Sequence, residues 1–529
     1  MSTKRIALIL LLAVSFMIYF NSIPSQFVLD DPAAVEGHPG AKWPLNLEAI
    51  FTTNYWGDRD NFEELSIYRP LATLTFALTD GLSGSDCPGC HRTVNLLLHF
   101  ACAWMVFLLG AALFRRESVA LVAALVFAVH PIHTEAVVGI VSRAELLAAL
   151  FVLLGTWGYL KWVRGVDKVA CWARPAVAGL YLLAMLSKEN GATFWGILFA
   201  FVIADGIAWV WEHRTFKGWR TDPWIHLLLA LVLGGYFLLR SQVLPHTLSW
   251  QVHFADNPMM GGDAVTRWLT PFKVFGSYLK LLVIPYPLVI DYSYDHFQVV
   301  TSLADWEAWT GLAAFLFLAV GALLAARRRP NLGALVLAGF ASYVVVSHLL
   351  FLSTIIFAER LMYLPSAFFV LGLAFLADEG WELSGANTLK RVVAAGVGVL
   401  ILVYGGITVV RSADWATPLS LYASAVKVAP GSARNQSLCA NALFNSGHVK
   451  EAIPHYRNSL SISPTNFVAR TNLARALAMT GDLKGAESAA RMALEFKKGY
   501  PSALLVLANV VAASHREEAS LPMFAAYLE

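Results

Sequence analysis

Residues 93–130 read TVNLLLHFACAWMVFLLGAALFRRESVALVAALVFAVH: two long apolar runs parted by Arg115-Arg116 and closed by His130. Each run matches the length needed to cross a hydrocarbon core, about 20 residues in helical form. The rest of the chain repeats the pattern. Hydrophobic residues make up 57% of the 529 and charged residues only 14%, against about 25% charged in soluble domains. That is too little charge to cover several water-facing domains, so lipid must solvate most of the chain. The net charge of +3 gives no case for a nucleic-acid partner, and five cysteines do not make a disulfide framework.

Apolar stretches fall near 6–23, 93–114, 119–139, 144–163, 175–187, 193–211, 223–241, 306–326, 331–352, 363–381 and 392–410, about eleven spans. The first follows Lys4-Arg5 without a small-residue cleavage site and reads as a retained anchor. Arg115-Arg116, Lys161/Arg164/Lys168/Arg174, Arg214/Lys217/Arg220, Arg327–Arg329 and Lys390-Arg391 then all face the cytoplasm. The N-terminus is expected inside and the C-terminal tail outside. Residues 268–290, with Pro271, Pro285 and Pro287, are apolar enough to enter the membrane, but a crossing there would put Arg327–Arg329 outside. A re-entrant or surface-lying segment is expected, its backbone covered by protein or a cavity. Residues 24–92 form a long outer loop, in which Tyr68-Arg69-Pro70-Leu71 starts a short helix.

The tail repeats. Pro430 and Pro464 stand 34 residues apart, the tetratricopeptide period. Ala440, Ala452 and Tyr456 recur as Ala474, Ala486 and Ala490, with Gly481 under Gly447. Small residues let paired helices approach closely, and proline ends the second helix. Half-repeats flank the two full ones, the later running from about 501 to Glu529. A short helical stack with a groove for peptides or proteins is expected outside the membrane.

Polar residues collect at the outer ends of the spans: Asp30-Asp31, Arg69, His130-Pro-Ile-His133-Thr-Glu135, Arg143 and Glu145, Lys188-Glu189-Asn190, and Glu359-Arg360. Charges at membrane depth are costly, so both signs clustered on one side point to a hydrated cavity with a task. Paired carboxylates supply a general base or hold a divalent metal, and Arg and Lys hold a phosphate or diphosphate group. The reaction class reached this way is group transfer from a lipid phosphate. Blander readings stand beside it. Asp30-Asp31 before Pro32 also fits a turn or helix cap, and His130 and His133 fit structural histidines at a kink better than metal ligands. Lys188-Glu189 and Glu359-Arg360 also fit self-neutralising pairs closing tight hairpins. Arg143 and Glu145, two apart, do not face each other on a helix, which favours separate partners in one larger network. Cys87-Pro-Gly-Cys90 has no second pair for zinc and reads as a local disulfide in an oxidising compartment.

The motifs Phe27-Val-Leu-Asp30-Asp31, Tyr68-Arg-Pro-Leu-Ala-Thr-Leu-Thr-Phe76, Arg92-Thr-Val-Asn-Leu-Leu-Leu-His99, His130–Val137, Ser142–Ala148, Ser187–Gly191, Phe254–Asn257, Asp291-Tyr-Ser293 and Ala358–Pro365 carry a resemblance. In this order, and ending in the repeat, the chain resembles the transmembrane and tetratricopeptide-repeat family of protein O-mannosyltransferases, in a short bacterial form. The resemblance implies an all-α polytopic GT-C glycosyltransferase core over 1–410 and tetratricopeptide repeats over 411–529. It implies a multi-pass protein of a bacterial inner membrane that moves a hexose, mannose first, from a polyprenyl-phosphate donor to Ser/Thr of proteins at the outer face. Asp30 and Asp31 become the base and its partner, Asp30 favoured as the base. No metal or other cofactor is implied, a divalent ion at Asp30/Asp31 being the disfavoured variant. Arg69, His133, Glu135, Arg143, Glu145, Lys188, Glu189, Glu359 and Arg360 are expected as donor-phosphate or cavity residues, and the repeats as the site of the protein acceptor. The family's arrays are commonly longer, which leaves a lipid or cell-wall glycan open as the acceptor. A non-enzymatic repeat scaffold and, last, a transporter are the competing classes.

Overall fold

A computed structural model of the chain describes residues 3–57, 67–84, 87–219, 221–244, 254, 256–383, 387–514 and 517–528. Arg220, Ala255, Glu529 and the 58–66 part of the outer loop lie outside them. The described residues form helices joined by turns and irregular segments, with no strand among them.

Each expected span contains a helix. Eight helical stretches are long and apolar enough to cross a membrane unaided. A ninth is broken: α5 (Glu117–Val129) and the stretch Pro131–Val138 meet at 51°. The break follows from Pro131, which supplies no N–H and holds His130 extended (φ −67°, ψ 122°). The other two, Ala173–Ser187 (α8) and Pro330–Val346, are shorter apolar helices. By length and composition the described residues carry eight full spans, or nine with the bent pair, and the two shorter apolar helices stand at the remaining two expected positions.

Burial sorts these helices into an inner and an outer set. Glu359–Gly380 is 72% buried and α7 (Arg143–Trp162) 67%, whereas Trp306–Ala326 (α12) and Thr388–Asp414 are each 17% buried. The inner set includes α14 (Tyr363–Leu383), which packs on α4 (Pro88–Leu113), α5 and α7. Residues 268–290 are part helix and part irregular: α11 runs Ala264–Val283 with Pro271 inside, and the chain then loses helical form through Pro285 and Pro287. In that irregular stretch Leu288, Val289 and Ile290 are buried against the core, so protein covers the backbone as the physics of an apolar medium requires.

The helix α15 (Asn387–Asp414) leads into α16 (Pro418–Val428), and the repeat pairs follow: α17 (Ala433–Asn445) with α18 (Val449–Ile462), α19 (Phe467–Met479) with α20 (Leu483–Phe496), and α21 (Pro501–Ala513) with α22 (Glu517–Leu528). Ala440, Ala452, Ala474, Ala486 and Ala490 have no exposed surface, which is the close helix approach their small size permits. Gly447 and Gly481, one period apart, take φ of 84° and 89°, a left-handed turn that L side chains resist.

Candidate functional site

The acidic pair sits on a turn after α1 (Thr3–Tyr19), and its two carboxylates differ in kind. Asp31 is buried. Its Oδ2 accepts the Val28 N–H at 3.2 Å and its Oδ1 the Val141 N–H at 3.0 Å, with the Arg92 guanidinium 3.9 Å away. Burial, offset in part by Arg92 and the two N–H groups, holds the Asp31 carboxyl up at about 6. Asp30 is partly exposed, and its carboxylate makes no hydrogen bond or ion pair among the described residues. The turn reading thus describes Asp31, while Asp30 presents an open acceptor.

Around this turn the charges pair across the bundle and not along the chain. Lys188 pairs with Glu145, which also accepts from Asn190 at 2.6 Å. Glu189 takes Arg69 in a two-point contact at 3.1 and 3.0 Å, and Arg69 lies 5.2 Å from the centre of the Tyr55 ring. Glu135 takes the Arg360 side chain and, at 2.9 Å, the Arg360 backbone N–H. The tight-hairpin alternative for Lys188-Glu189 and Glu359-Arg360 is therefore replaced by long-range pairs, each tying two elements together.

Exposure separates the members. The carboxylates Glu135 and Glu145 keep 2% and 1% of their side-chain surface, while Lys188, Arg69 and Arg360 keep 11%, 15% and 22%. In the Glu135 and Glu145 pairs the cation is the part that faces open space, while Glu189, at 22%, is more exposed than its Arg69 partner. An ammonium has three donors and a guanidinium five. Arg69 uses Nε and Nη2 and Arg360 uses Nη1, so each retains N–H groups without a protein acceptor among the described residues. Arg360 interacts electrostatically with Asp30, and Lys188 with both Arg69 and Arg360, which links these groups through Lys188 and Arg360.

Three predicted residues lie behind this front. Arg143 is fully buried, with its guanidinium donating to Asn95 Oδ1 (2.9 Å), Thr79 Oγ1 (3.0 Å) and the Thr75 and His91 carbonyls, and lying 4.7 Å from the Phe76 ring centre. It and Glu145 have separate partners. His130 bonds the Leu282 carbonyl at 3.0 Å and accepts the Ile132 N–H, the satisfied arrangement of a structural histidine, whereas His133 bonds Ser366 Oγ at 2.8 Å through Nε2 and its buried Nδ1 has no hydrogen-bond partner among the described residues. Glu359 accepts from the Val289 N–H at 2.7 Å and the Tyr292 hydroxyl at 2.9 Å, anchoring the irregular stretch after α11. No group of three or more His, Cys, Asp or Glu side chains among the described residues is placed to hold a metal ion.

Sequence reasoning missed several partners. Arg92 is fully buried and donates to the Ser25, Gln26 and Val138 carbonyls, fastening the acidic turn to α4. It begins a motif quoted above, and the heptad-like spacing of Arg92, Asn95 and His99 was the available signal. Cys87 and Cys90 form a disulfide just before Arg92. The tail contributes as well: the Gln26 N–H donates to the Ala416 carbonyl at 3.0 Å, and Arg434 pairs with Asp256 at 2.8 Å. Farther along the repeats, Asn441, Phe444, Tyr456, Asn472 and Arg475 line a polar cleft.

A tetratricopeptide-repeat family model matches residues 443–510. Protein O-mannosyl-transferase TMTC3 of Mus musculus is 29% identical over 487 residues, 88% of this chain and 52% of its own length. Protein O-mannosyl-transferase TMTC4 of Homo sapiens is 30% identical over 491 residues, 84% and 64% of the two chains, and TMTC1 of Homo sapiens 30% over 522, 90% and 57%. The chain spans between about half and two thirds of the length of these relatives. With its multi-pass helical core and its repeats, this chain is a homologue, over most of its length, of proteins named protein O-mannosyl-transferases.

Proposed function

We propose that the chain is a membrane glycosyltransferase that moves a hexose, mannose first, from a polyprenyl-phosphate donor to Ser/Thr hydroxyls of proteins. One observation carries the reading: an open carboxylate, Asp30, lies within electrostatic reach of Arg360, and Arg360 shares its site with Lys188, both cations keeping spare N–H donors. In the reaction the acceptor oxygen bonds to the sugar C1 as the bond from C1 to the phosphate oxygen breaks. The acceptor proton passes to the Asp30 carboxylate, and the electron pair leaves with the polyprenyl phosphate. Arg69, Lys188 and Arg360 stabilise the charge gained by that phosphate, and their glutamates hold them in place beforehand. Asp31 shapes the turn and does not react. The resemblance of the acidic turn to the family motif and the names of the homologues support this chemistry. The basic loops between spans favour a cytoplasmic N-terminus, with the reaction on the outer face of a bacterial inner membrane and the repeats holding the protein acceptor there.

The test is turnover of radiolabelled polyprenyl-phosphate mannose by the purified full chain with envelope extract. Wild type, Asp30→Asn and Asp31→Asn are compared, with and without EDTA. Transfer by wild type that disappears in folded Asp30→Asn supports the proposal. Equal turnover in both removes Asp30 from the chemistry, and no transfer with any polyprenyl-phosphate hexose overturns the reading.

A further inference from the structure

The turn bearing Asp30 is not self-supporting. Leu29, immediately before it, has φ of 56°, a left-handed conformation in which a leucine is strained. Such a residue persists only where its surroundings enforce it. Part of the enforcement is local: the Asp31 N–H donates to the Val28 carbonyl at 3.1 Å and the Ala34 N–H to the Asp30 carbonyl at 3.1 Å. The rest comes from the C-terminal helices. The Tyr422 hydroxyl, on α16, lies at the Leu29 amide and within electrostatic reach of both aspartates. Just upstream the Gln26 N–H donates to the Ala416 carbonyl, and the fully buried Trp415 packs against Gly139.

The first repeat helix is fastened beside the same turn. Arg434 on α17 pairs with Asp256 at 2.8 Å, lies 3.9 Å from Asp291, and interacts electrostatically with Asp30. Ser432 Oγ donates to Asp291 Oδ2 at 3.2 Å, Asn435 to the Asp291 carbonyl at 3.1 Å, and the Ala433 N–H to the Tyr294 carbonyl at 3.2 Å. These contacts involve side chains, main chain and charge together, unlike a flexible tether.

We propose that the repeat region is a working part of the transfer site, with Tyr422 and Arg434 as positioning residues that hold Asp30 in register. This rests on the transferase reading above. The repeats then act on the chemical step itself, besides holding an acceptor.

The experiment uses the full chain in nanodiscs with two acceptors: a short Ser/Thr peptide too small to span the distance to the repeat cleft, and a protein acceptor. Tyr422→Phe, Arg434→Met and Arg434→Lys are compared with wild type, with Asn441→Ala in the cleft, and with Arg491→Met on the exposed face of α20 as control. Positioning predicts kcat lowered about tenfold or more for both acceptors in Tyr422→Phe and Arg434→Met, with KM little changed. Arg434→Lys, which keeps the charge, should recover part of the loss. Asn441→Ala should raise KM for the protein acceptor alone. Hydrogen exchange gives a readout independent of turnover: the amides of 29–31 should exchange about tenfold faster in Tyr422→Phe, with the repeat amides unchanged. Wild-type kcat and exchange in both Tyr422→Phe and Arg434→Met would overturn the inference and leave the transferase reading intact, as would changes confined to KM. No transfer by wild type overturns both.

Discussion

Asp31 offers a sharp test, because two features of its surroundings predict opposite pH behaviour. A carboxylate beside an arginine ordinarily titrates low and stabilises the fold as pH rises. Here the Arg92 contact is long, at 3.9 Å, and burial dominates, placing the carboxyl at about 6 in the fold against 3.8 for the free side chain. Ionisation is then about 3 kcal/mol harder in the folded protein. The sign follows. Below pH 3.8 both states are protonated and Asp31 contributes no penalty. Between 3.8 and about 6 only the unfolded chain ionises, so folding stability declines, and above 6 the loss is complete and constant. Asp31→Asn supplies a neutral near-isostere whose single amide oxygen keeps one of the Val28 and Val141 N–H bonds, a loss that does not vary with pH, while Arg92 keeps its three carbonyl partners. The measurement is thermal unfolding of wild type and Asp31→Asn in detergent from pH 3.5 to 7.5, followed by tryptophan fluorescence, with the other titrating groups cancelling in the difference. Wild type should lose about 3 kcal/mol relative to the variant over that range. A difference independent of pH, or wild type gaining on the variant as pH rises, would refute the dominance of burial and restore the ordinary ion pair.

Other outcomes follow from the same geometry. Asp30→Asn should lower kcat by about 10²–10⁴, the usual contribution of a general base, in a protein that still binds donor and melts normally. Arg360→Met should lose about 10²–10³ in kcat and also destabilise the fold by about 3–5 kcal/mol, since it strands buried Glu135. Adding Glu135→Gln should restore stability but not turnover, as read by melting and radiolabel transfer. Asp31 is spent on two backbone N–H groups, and Glu135, Glu145 and Glu189 each face a cation. Glu359 is buried against Val289 and Tyr292, so among the described residues of the site Asp30 is the carboxylate left open. That implies a single displacement, so NMR of the glycopeptide should show the anomeric configuration inverted relative to the donor, and EDTA should leave the rate unchanged. Cys171 is exposed whereas Cys102 and Cys439 are buried, and it lies in a basic loop. A membrane-impermeant maleimide should therefore label it from the cytoplasmic side only, as mass spectrometry of right-side-out and inverted vesicles would reveal.

Much of the fold was legible because apolar runs and the 34-residue period are local signals, sensed over a window no longer than one helix or one repeat. The alanines that permit close packing and the glycines that turn the chain speak from their own positions. Span length was less legible: 331–352 is apolar throughout but its helix stops at Val346, and hydropathy alone does not see a helix end. The site was legible as a set of residues and illegible as a set of pairs. Lys188 stands next to Glu189 in sequence, yet the backbone between them turns so that each side chain meets an element from elsewhere, α7 in one case and the 67–70 stretch in the other. Nothing in spacing distinguishes that from a neutralised hairpin. Arg92 shows the same limit. At the edge of a run that reads as a span, its partners are the carbonyls of Ser25 and Gln26, which arrive there only once the outer loop has folded back.

The bond from Gln26 to Ala416 also bears on how the protein is born. A ribosome releases residue 26 long before it has assembled residue 416, and the intervening helices enter the membrane one after another in that interval. Throughout it the segment carrying Leu29 and Asp30 lacks the partners that hold its strained backbone. Maturation of this turn is therefore a late event that depends on closing one of the longest chain circuits in the molecule. A nascent chain stalled before α16 would hold all the lipid-embedded helices and still lack a finished acidic turn. The onset of function becomes, in effect, a checkpoint on the completion of synthesis.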